Sequence, residues 1–389
     1  MSDINWDKIY NQYPVNQTSI WLNNCGTTPA GSHIIEAVTG YIHEYSRKGV
    51  FSEKYALSKV KNSIQAILSE LLNCDIQDIA LIHNTAEGMN FISRGLSLNP
   101  GDEILLMENE YPSNVYPWEH WQNKGITIKF IASAFSPGEF IHNFKAALTD
   151  KTKLVSLSAV HWCTGLPLPI KEIGKICQER AIDFCVDGAQ GAGHVKIDVN
   201  NWGISYLSFS AWKWLLGPLG LGVLVIPEKN VKKLEPVFKG TGSVAKPQEY
   251  LPYQKELIPG VERYMFSTPN FIDWIYFLSS LEFLQKIGFE RIMERIYRLS
   301  RYLTEKLMDS GFTVLSKSYL NRDYKNLESA IVLVGKEKWD VNAAQRELSS
   351  NNIITAVRLD HLRMAPHIYN SFDQLDKVIE LLNGSPKNP

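Results

Sequence analysis

The stretch Asp187–Lys213 reads DGAQGAGHVKIDVNNWGISYLSFSAWK, and the rest of the chain is organised around it. An apolar run, Phe184–Val186, leads into it and ends at the acid Asp187. A second apolar run, Tyr206–Ser210, precedes the lysine at its end. Short apolar runs of this kind are typical of buried strands. We therefore expect two strand ends, one presenting a carboxylate and the other an amine.

A carboxylate and an amine in this arrangement suit pyridoxal phosphate. The amine forms a Schiff base with the aldehyde of this cofactor, and the carboxylate keeps its pyridine nitrogen protonated. The stretch by itself also allows a plainer interpretation, because Asp187-Gly188 is a turn signal and any lysine can follow a strand. Both interpretations stay open on this stretch alone.

Strands and helices alternate on both sides of the stretch. This rhythm predicts an α/β fold, with a mostly parallel sheet and helices on both of its faces. The expected strands are 79–83, 103–108, 126–132, 154–160 and 221–226, together with the two runs above. The expected helices are 32–45, 52–72, a helix from Asn84 through Leu96, and 170–181.

A Gly- and Pro-rich passage, 239–260, interrupts this rhythm. The pattern after it predicts a smaller α+β domain, with helices at 270–287, 290–310, 342–350 and 372–382 and apolar runs at 312–315, 330–334 and 353–357. We expect residues 1–20 to form an arm that packs with the small domain, residues 21–262 to form the large cofactor-binding domain, and residues 263–389 to form the small domain.

The composition excludes several classes of protein. The chain has 40 Lys and Arg residues against 41 Asp and Glu, without a long basic run, which argues against a nucleic-acid or membrane surface. Its apolar runs fall short of the roughly 18 residues that span a bilayer. The polar start Met1–Trp6 is unlike a signal peptide, and the five cysteines lack metal-ligand spacing. We expect a cytoplasmic protein without a metal site.

Polar side chains follow the predicted strands at one edge of the sheet, where ligands of such sheets bind. They are Asn84, Glu110, Tyr111, His161, Asp187 and Lys213. Asn84 and Glu87 have the spacing of a capping box, and the helix N-terminus at Thr85-Ala86-Glu87 offers N–H groups, a hydroxyl and a positive dipole to a phosphate. Ser210 adds a second hydroxyl. A buried serine or an ordinary helix cap is the alternative for each.

Three further side chains fit the ring and the carboxylate of an amino-acid substrate. Tyr111 could stack on a pyridine ring, and Gln190 could donate to the ring oxygen. Arg363, on a predicted strand of the small domain, supplies the fork of donors that binds a carboxylate, with Arg358 as its competitor. A surface salt bridge is the alternative for either arginine.

Taken together, these motifs resemble the class V aminotransferase and cysteine desulfurase-like family of fold-type I pyridoxal-phosphate enzymes, nearest to its C–S lyase and isopenicillin N epimerase-like branch. The resemblance covers nearly the whole chain and implies a seven-stranded large sheet. The matching motifs occur in the family's order: Asn23–Pro29, Thr85, Glu110-Tyr111, Thr164-Gly165, Asp187–Gln190, Ser210–Lys213, Gly217-Pro218, Ser267–Asn270 and Arg363.

The resemblance implies a role for each candidate residue. Lys213 is the Schiff-base lysine and proton shuttle, Asp187 pairs with the pyridinium nitrogen, and Gln190 contacts the ring hydroxyl oxygen. Tyr111 stacks on the ring. The groups expected to hold the phosphate end of the cofactor are Thr85, Ala86, Glu87, Ser210 and, from a neighbouring subunit, Thr268. Asn24 and Arg363 bind the substrate. A homodimer whose active site is completed across the interface follows from the role of Thr268.

Several departures from the family bear on the reaction. Tyr111 and Trp212 stand where desulfurases often carry histidines, although the indole N–H of Trp212 could still donate one hydrogen bond to the cofactor. Cys163 stands where relatives have an amide that touches the cofactor. Desulfurases carry a nucleophilic cysteine shortly before the final arginine, but segment 351–362 has none. A desulfurase that forms a persulfide is therefore not expected.

Three reactions remain open for an amino-acid substrate. We favour β-elimination from a cysteine-like or cysteine-conjugate substrate, as in the C–S lyase relatives. Epimerisation, with Lys213 on one face of Cα and His161 or Cys163 on the other, and class V transamination are the alternatives. His161 could equally make a structural hydrogen bond. A pyridoxal-phosphate scaffold that binds a partner without catalysis is a further alternative, which intact Asp187, Lys213 and Arg363 argue against.

Overall fold

The computed structural model describes residues 4–253, 256–316, 324 and 327–384. The strands within them are β1 (Ile20–Trp21), β2 (Ile79–Ile82), β3 (Glu103–Met107), β4 (Thr127–Ile131), β5 (Thr152–Ser158), β6 (Asp183–Asp187), β7 (Tyr206–Ser210), β8 (Gly222–Val225), β9 (Thr313–Val314), β10 (Val332–Gly335), β11 (Ile353–Ile354), β12 (Ala356–Arg358) and β13 (His361–Met364).

The α-helices alternate with these strands in the first part of the chain and surround the second sheet. They are α1 (Trp6–Tyr10), α2 (Ser32–Lys48), α3 (Val50–Tyr55), α4 (Lys61–Leu72), α5 (Thr85–Gly95), α6 (Tyr116–Glu119), α7 (Pro137–Ala147), α8 (Ile170–Glu179), α9 (Glu228–Val231), α10 (Phe271–Ile287), α11 (Phe289–Asp309), α12 (Val341–Ser350) and α13 (Phe372–Gly384). The predicted helix 52–72 is helical throughout, with a π-helical turn at Ala56–Val60 between α3 and α4.

The large sheet has seven strands in the order β2-β8-β7-β6-β5-β3-β4. Only β8 runs against its neighbours, while the pairs from β7 to β4 are parallel. The expected α/β fold with a mostly parallel, seven-stranded sheet is therefore confirmed. The parallel arrangement brings the carboxyl ends of β5, β6 and β7 to one edge, where it places Asp187 and Ser210.

Successive side chains along a strand point to opposite faces, and both faces of this sheet are buried except along the edge strand β4, where Phe130 is exposed. In β3, Leu105 and Met107 join one apolar cluster, while Ile104 and Leu106 join another on the opposite face. The strands accordingly consist of nearly continuous apolar residues. Polar groups collect at the strand ends, where they face a cavity instead of a helix.

The second sheet is antiparallel, with the order β12-β13-β10-β9, and α11, α12 and α13 contribute their buried faces to its core. The apolar run at 353–357 is divided between two sheets. Residues 353–354 pair with β1, whereas 356–358 pair with β13, so Thr355 separates strands of two different sheets. The β12–β13 connection is a two-residue turn in which Leu359 and Asp360 have φ of 47° and 59°.

Residues 4–20, the described part of the predicted arm, lie against the C-terminal part of the chain. Asn16 Nδ2 donates to the carbonyl of Tyr369 at 2.8 Å, and β1 pairs in parallel with β11. Helix α10 packs with the core of the large sheet through Trp274 and Phe277, although it follows residue 263. The division of the chain into domains at residues 20 and 262 stays a prediction.

Among the described residues, no helix combines the length and apolar character needed to cross a membrane. The same residues contain no group of three or more His, Cys, Asp or Glu side chains arranged to hold a metal ion.

Candidate active site

A cavity of about 320 Å³ opens at the carboxyl ends of the parallel strands and is closed on one side by the β12–β13 hairpin. This volume falls in the range typical of small-molecule sites. The cavity is lined by Cys25, Gly26, Asn84, Thr85, Ala86, Tyr111, Ser113, Trp162, Asp187, Ala189, Gln190, Ser210, Trp212, Lys213, Arg358 and Arg363. Most of the residues that the sequence predicts for the site are thus brought together.

One end of the cavity is the N-terminus of α5. Asn84 caps the helix by accepting the N–H of Glu87 on Oδ1 at 2.9 Å, as the sequence predicts. The hydroxyls of Thr85 and Ser210 lie 2.8 Å apart, so the helix end and the end of β7 meet. Gly88 permits this close approach, because a Cβ there would lie 2.2 Å from Ser208 Oγ. Hydroxyls beside a positive helix end make this the place for an anion.

Two buried carboxylates interact at the cavity, of which Asp187 belongs to the lining and Glu110 does not. Glu110 accepts from the N–H and the hydroxyl of Ser158 at 2.9 and 2.6 Å and from the N–H of Tyr111 at 2.9 Å. Burial, and then the neighbouring Glu110, raise the pKa of Asp187 to about 7. Asp187 therefore holds a proton or a positive partner near neutral pH, which suits a carboxylate that faces a ring nitrogen.

Lys213 projects into the same space from the segment after β7. Its Nζ lies 5.7 Å from the centroid of the Tyr111 ring, and that ring packs edge-on against Trp162. Burial lowers the pKa of Lys213, while Asp187 acts in the opposite direction. A lowered pKa increases the neutral fraction of the amine, and the neutral form is the one that attacks an aldehyde.

The two arginines of the hairpin form the opposite wall. Arg363 is buried, and its Nη1 donates to the carbonyl of Trp162 at 2.6 Å, while its Nε finds no acceptor among the described residues. Arg358 donates from Nη1 to the carbonyl of Val357 at 2.7 Å. Both side chains therefore line the cavity with guanidinium donors beyond those used on the backbone.

His161 does not line this cavity. It lines a neighbouring, mostly apolar pocket. Its Nδ1 accepts the N–H of Thr164 at 3.1 Å, so Nε2 carries the hydrogen and donates to the carbonyl of Asn109 at 2.9 Å. Burial lowers the pKa of His161 and keeps the ring neutral. Nδ1 thus contacts the loop that carries His161 itself, and Nε2 links this loop to the one at Asn109. These contacts favour the structural alternative, and the catalytic role of His161 stays a prediction.

Four other predicted residues are placed beside the cavity or away from it. The Glu87 N–H is taken by Asn84, and its carboxylate accepts the N–H of His83 at 2.6 Å, so neither points to a phosphate. Cys163 is fully buried behind the lining. Asn24 is buried and accepts from Tyr369 at 3.0 Å. Thr268 lines two separate surface pockets, a position that leaves its predicted role across an interface to be tested.

The sequence reasoning gave no role in the cavity to Cys25 or Ser113. Cys25 belongs to the turn Asn23–Pro29, whose Asn, Gly and Pro content signals a tight loop but not what the loop faces. Ser113 follows Tyr111-Pro112 directly, and its place beside the stacking candidate was the available signal. Arg358, considered only as a competitor of Arg363, lines the cavity together with it.

A family model described as Aminotransferase class-V matches residues 20–356. A probable cysteine desulfurase of Pyrococcus abyssi is 29% identical over 304 residues, which cover 76% of this chain and 74% of the relative. Cysteine desulfurase IscS of Rickettsia felis is 26% identical over 349 residues, with coverage of 87% and 76%.

Two solved structures share the fold along almost the whole chain. The apo cysteine desulfurase of Thermococcus onnurineus superposes with a TM-score of 0.88 at 22% identity, and the match covers 99% of this chain and 98% of the desulfurase chain. The cystine C–S lyase C-DES, in complex with its product cysteine persulfide, has a TM-score of 0.88 at 23% identity, with coverage of 97% and 100%. At these identities the likeness establishes the fold.

Proposed function

Since this chain belongs to the aminotransferase class-V family, we propose that it is a C–S lyase, which eliminates the sulfur-bearing β-substituent of a cysteine-like amino acid. Its cofactor is pyridoxal 5′-phosphate. When bound, this cofactor supplies the electron sink that weakens the bonds to Cα of an amino acid.

The donor set of the cavity fits that cofactor. The hydroxyls of Thr85 and Ser210 at the N-terminus of α5 suit the phosphate, and buried Asp187, with its pKa of about 7, suits the pyridine nitrogen. Lys213 presents an amine to the aldehyde, and Tyr111 lies beside that amine. Each chemical group of the cofactor therefore has a matching side chain in one cavity of about 320 Å³.

Lys213 is the residue that we assign to proton movement. Its Nζ holds the cofactor before substrate arrives and is then free to take the proton from Cα. The lowered pKa of the amine favours that transfer at neutral pH. Since both ring nitrogens of His161 are engaged with Thr164 and Asn109, a second base on the opposite face of Cα has no support there. This weakens the epimerase alternative.

The hairpin arginines favour a substrate with two acidic groups. Arg363 is the more buried of the two and suits the α-carboxylate, because a buried guanidinium binds a carboxylate more strongly than an exposed one. Arg358 lines the same wall and remains available for a second carboxylate farther along the substrate. Cystine, with a carboxylate at each end, matches this arrangement.

The observation that carries the proposal is where the thiols lie. The five cysteines of the chain are Cys25, Cys74, Cys163, Cys177 and Cys185, and all are buried. Cys25 is the one that lines the cavity, and burial raises the pKa of its thiol. A protonated thiol on a fixed turn is a poor sulfur acceptor, because the thiolate is the nucleophile. The released sulfur should therefore leave with a small molecule.

The products decide the reaction. With cystine, we expect pyruvate, ammonia and a persulfide-bearing cysteine in equal amounts, with the Cβ–S bond cleaved and water consumed. With cysteine as the substrate, formation of alanine together with a persulfide on Cys25 would instead mark a desulfurase, because the thiol of Cys25 would take the sulfur as the Cβ–S bond breaks. Exchange of the Cα hydrogen with solvent deuterium, without formation of pyruvate, would mark an epimerase. Transfer of the amino group that depends on an added oxo acid would mark an aminotransferase. No spectral change with any of a broad panel of amino acids would favour the non-catalytic scaffold.

We also propose that two copies of the chain associate. A surface groove of about 830 Å³ contains Thr268 and exposes apolar side chains, among them Ile42, Leu57 and Tyr250. Exposed apolar area of this kind is typical of an interaction surface. In such a dimer, the family resemblance implies that Thr268 reaches the phosphate end of the neighbouring copy. Sedimentation equilibrium should give a dimer, and a monomer with full activity would exclude this arrangement.

A further inference from the structure

The amide of Gln190 is held at both of its ends. Trp214 Nε1–H donates to Gln190 Oε1 at 2.9 Å, and Gln190 Nε2 donates to the carbonyl of Cys25 at 3.0 Å. The Nε2 group has two hydrogens, and Cys25 uses one of them. Since Gln190 lines the cavity, the second N–H remains for a ligand there.

Trp214 is in turn fixed by two histidines. The ring of His194 stacks on the indole with centroids 3.7 Å apart and planes 12° apart. His194 Nε2 accepts the N–H of Ala330 at 2.7 Å, so its Nδ1–H donates to the carbonyl of Gln190 at 2.7 Å. His367 Nε2–H donates to the carbonyl of Trp214 at 3.3 Å. The indole therefore has little freedom to leave Gln190.

We propose that Trp214 is a positioning residue whose indole N–H keeps the Gln190 amide turned so that an N–H faces the ring oxygen of the cofactor. A flipped amide would direct Oε1 at that oxygen and at the Cys25 carbonyl, where acceptor would face acceptor. The inference rests on the cofactor and on the predicted contact of Gln190 with it, and it does not depend on which bond of the substrate is cleaved.

The proposal has a spectroscopic consequence. An N–H donated to the ring oxygen stabilises that oxygen as an anion and lowers its affinity for a proton. Loss of the donor therefore raises the pH at which the visible absorbance of the bound cofactor changes. It also weakens binding of the cofactor, since Gln190 no longer offers a correctly oriented donor.

The chain provides a matched control. Trp118 is also fully buried, in the apolar cluster on the other side of the large sheet, and its Nε1–H finds no acceptor among the described residues. Trp118→Phe and Trp214→Phe remove the same atoms from a packed interior, but only the second removes a hydrogen bond to a residue of the cavity. Both variants should lose thermal stability from the cavity that they create, and Trp214→Phe should lose more because it leaves Gln190 Oε1 without its donor.

The test is a pH titration of the visible absorbance of each holoenzyme, together with a measurement of cofactor affinity. We expect Trp214→Phe to raise the midpoint by about one pH unit and the dissociation constant about tenfold, which is the effect of one hydrogen bond. Trp118→Phe should leave both values unchanged. A wild-type midpoint in Trp214→Phe, or equal shifts in the two variants, would overturn the proposal.

A second substitution keeps the test decisive if Trp214→Phe does not fold. Replacement of Trp214 by 3-benzothienylalanine retains the two-ring shape and substitutes sulfur for the N–H. It should reproduce the higher midpoint while stability stays near that of the wild type, and an unshifted midpoint would contradict the proposal. The absorbance band of the wild type tests the cofactor, the products from cystine test the lyase reaction, and the shifted midpoint tests the role of Trp214. Failure of each of the three can therefore be told from failure of the others.

Discussion

The two walls of the cavity hold their polar groups in different ways. The strand-end wall, at the large sheet, consists of Thr85, Asp187, Gln190, Ser210 and Lys213. Most of its groups are bonded to other groups of the protein, as in the hydroxyl pair of Thr85 and Ser210. The hairpin wall consists of Arg358 and Arg363, each of which is tied to a backbone carbonyl and keeps further donors.

This difference indicates which ligand each wall receives. A wall whose side chains are already oriented by the fold suits a cofactor that stays bound through many turnovers. The entropy cost of orienting those side chains is met when the protein folds and not when the cofactor binds. A wall with spare charged donors suits a substrate that arrives and leaves. Substitutions in the strand-end wall should therefore affect the cofactor, and substitutions in the hairpin wall should affect substrate affinity.

The largest effect is expected for Lys213→Ala. Loss of the amine removes both the covalent attachment of the cofactor and the proton carrier, so kcat should fall by about 10³-fold or more. Borohydride reduction followed by peptide mapping measures the attachment, and the surface variant Lys175→Ala serves as control. In the wild type, recovery of the reduced cofactor on a different lysine would contradict the assignment of Lys213 as the point of attachment.

Arg363→Ala should act on KM more than on kcat. A charge-assisted, forked contact with the α-carboxylate corresponds to a rise in KM of about 10²-fold, while cofactor affinity stays near the wild-type value. Arg363→Lys keeps the charge without the forked pair of donors, so its KM should lie between those of the wild type and Arg363→Ala. If cofactor affinity fell as far as substrate affinity, the separation of the two walls would be wrong.

Asp187 makes the stability of the cofactor-free protein depend on pH. Its folded-state pKa of about 7 exceeds the unfolded value of 3.8, so the folded state binds more protons between those values. Its contribution is fully present below the unfolded pKa and is lost as pH rises through the folded one. In urea unfolding of the apo protein, the free energy of unfolding should fall by about 2 kcal/mol from pH 5 to pH 6.5 in the wild type, and Asp187→Asn should lack this fall.

Asp198 provides a control for this measurement. Although burial acts to raise the pKa of Asp198, hydrogen bonds from Asn73 and Asn201 outweigh it and lower the pKa overall. Asp198→Asn should therefore show the same fall in the free energy of unfolding between pH 5 and 6.5 as the wild type. An equal loss in Asp187→Asn and wild type would show that Asp187 is ionised throughout this range.

Arg358→Ala should have the smallest effect and the most selective one. We expect kcat/KM for cystine to fall about tenfold, the value of one charged contact, with little change for S-methylcysteine, which lacks the second carboxylate. Parallel assays of both substrates, with Arg358→Lys as a control, measure this ratio. A uniform fall for both substrates would assign Arg358 to the α-carboxylate and would reverse the roles within the hairpin wall.

Motifs at strand ends could be predicted from the sequence because their signals are local. The apolar runs before Asp187 and Lys213, and the cap at Asn84, are read from neighbouring residues. The roles of His161 and Glu87 could not be read in this way. His161 follows a predicted strand and Glu87 lies in the first turn of a predicted helix, as ligand groups would. The carbonyl of Asn109 and the N–H of His83 nevertheless occupy their polar atoms.

The sequence by itself determined the alternation of strands and helices, the edge of the sheet that carries the polar residues, and the order of the family's motifs. Periodicity and turn chemistry are properties of short segments, so they survive without knowledge of contacts. The tertiary structure decided that Arg358 joins Arg363, that Cys25 lines the cavity, and that Trp214 holds Gln190. These depend on contacts between segments that are separate in the chain, and local periodicity and turn chemistry do not report such contacts.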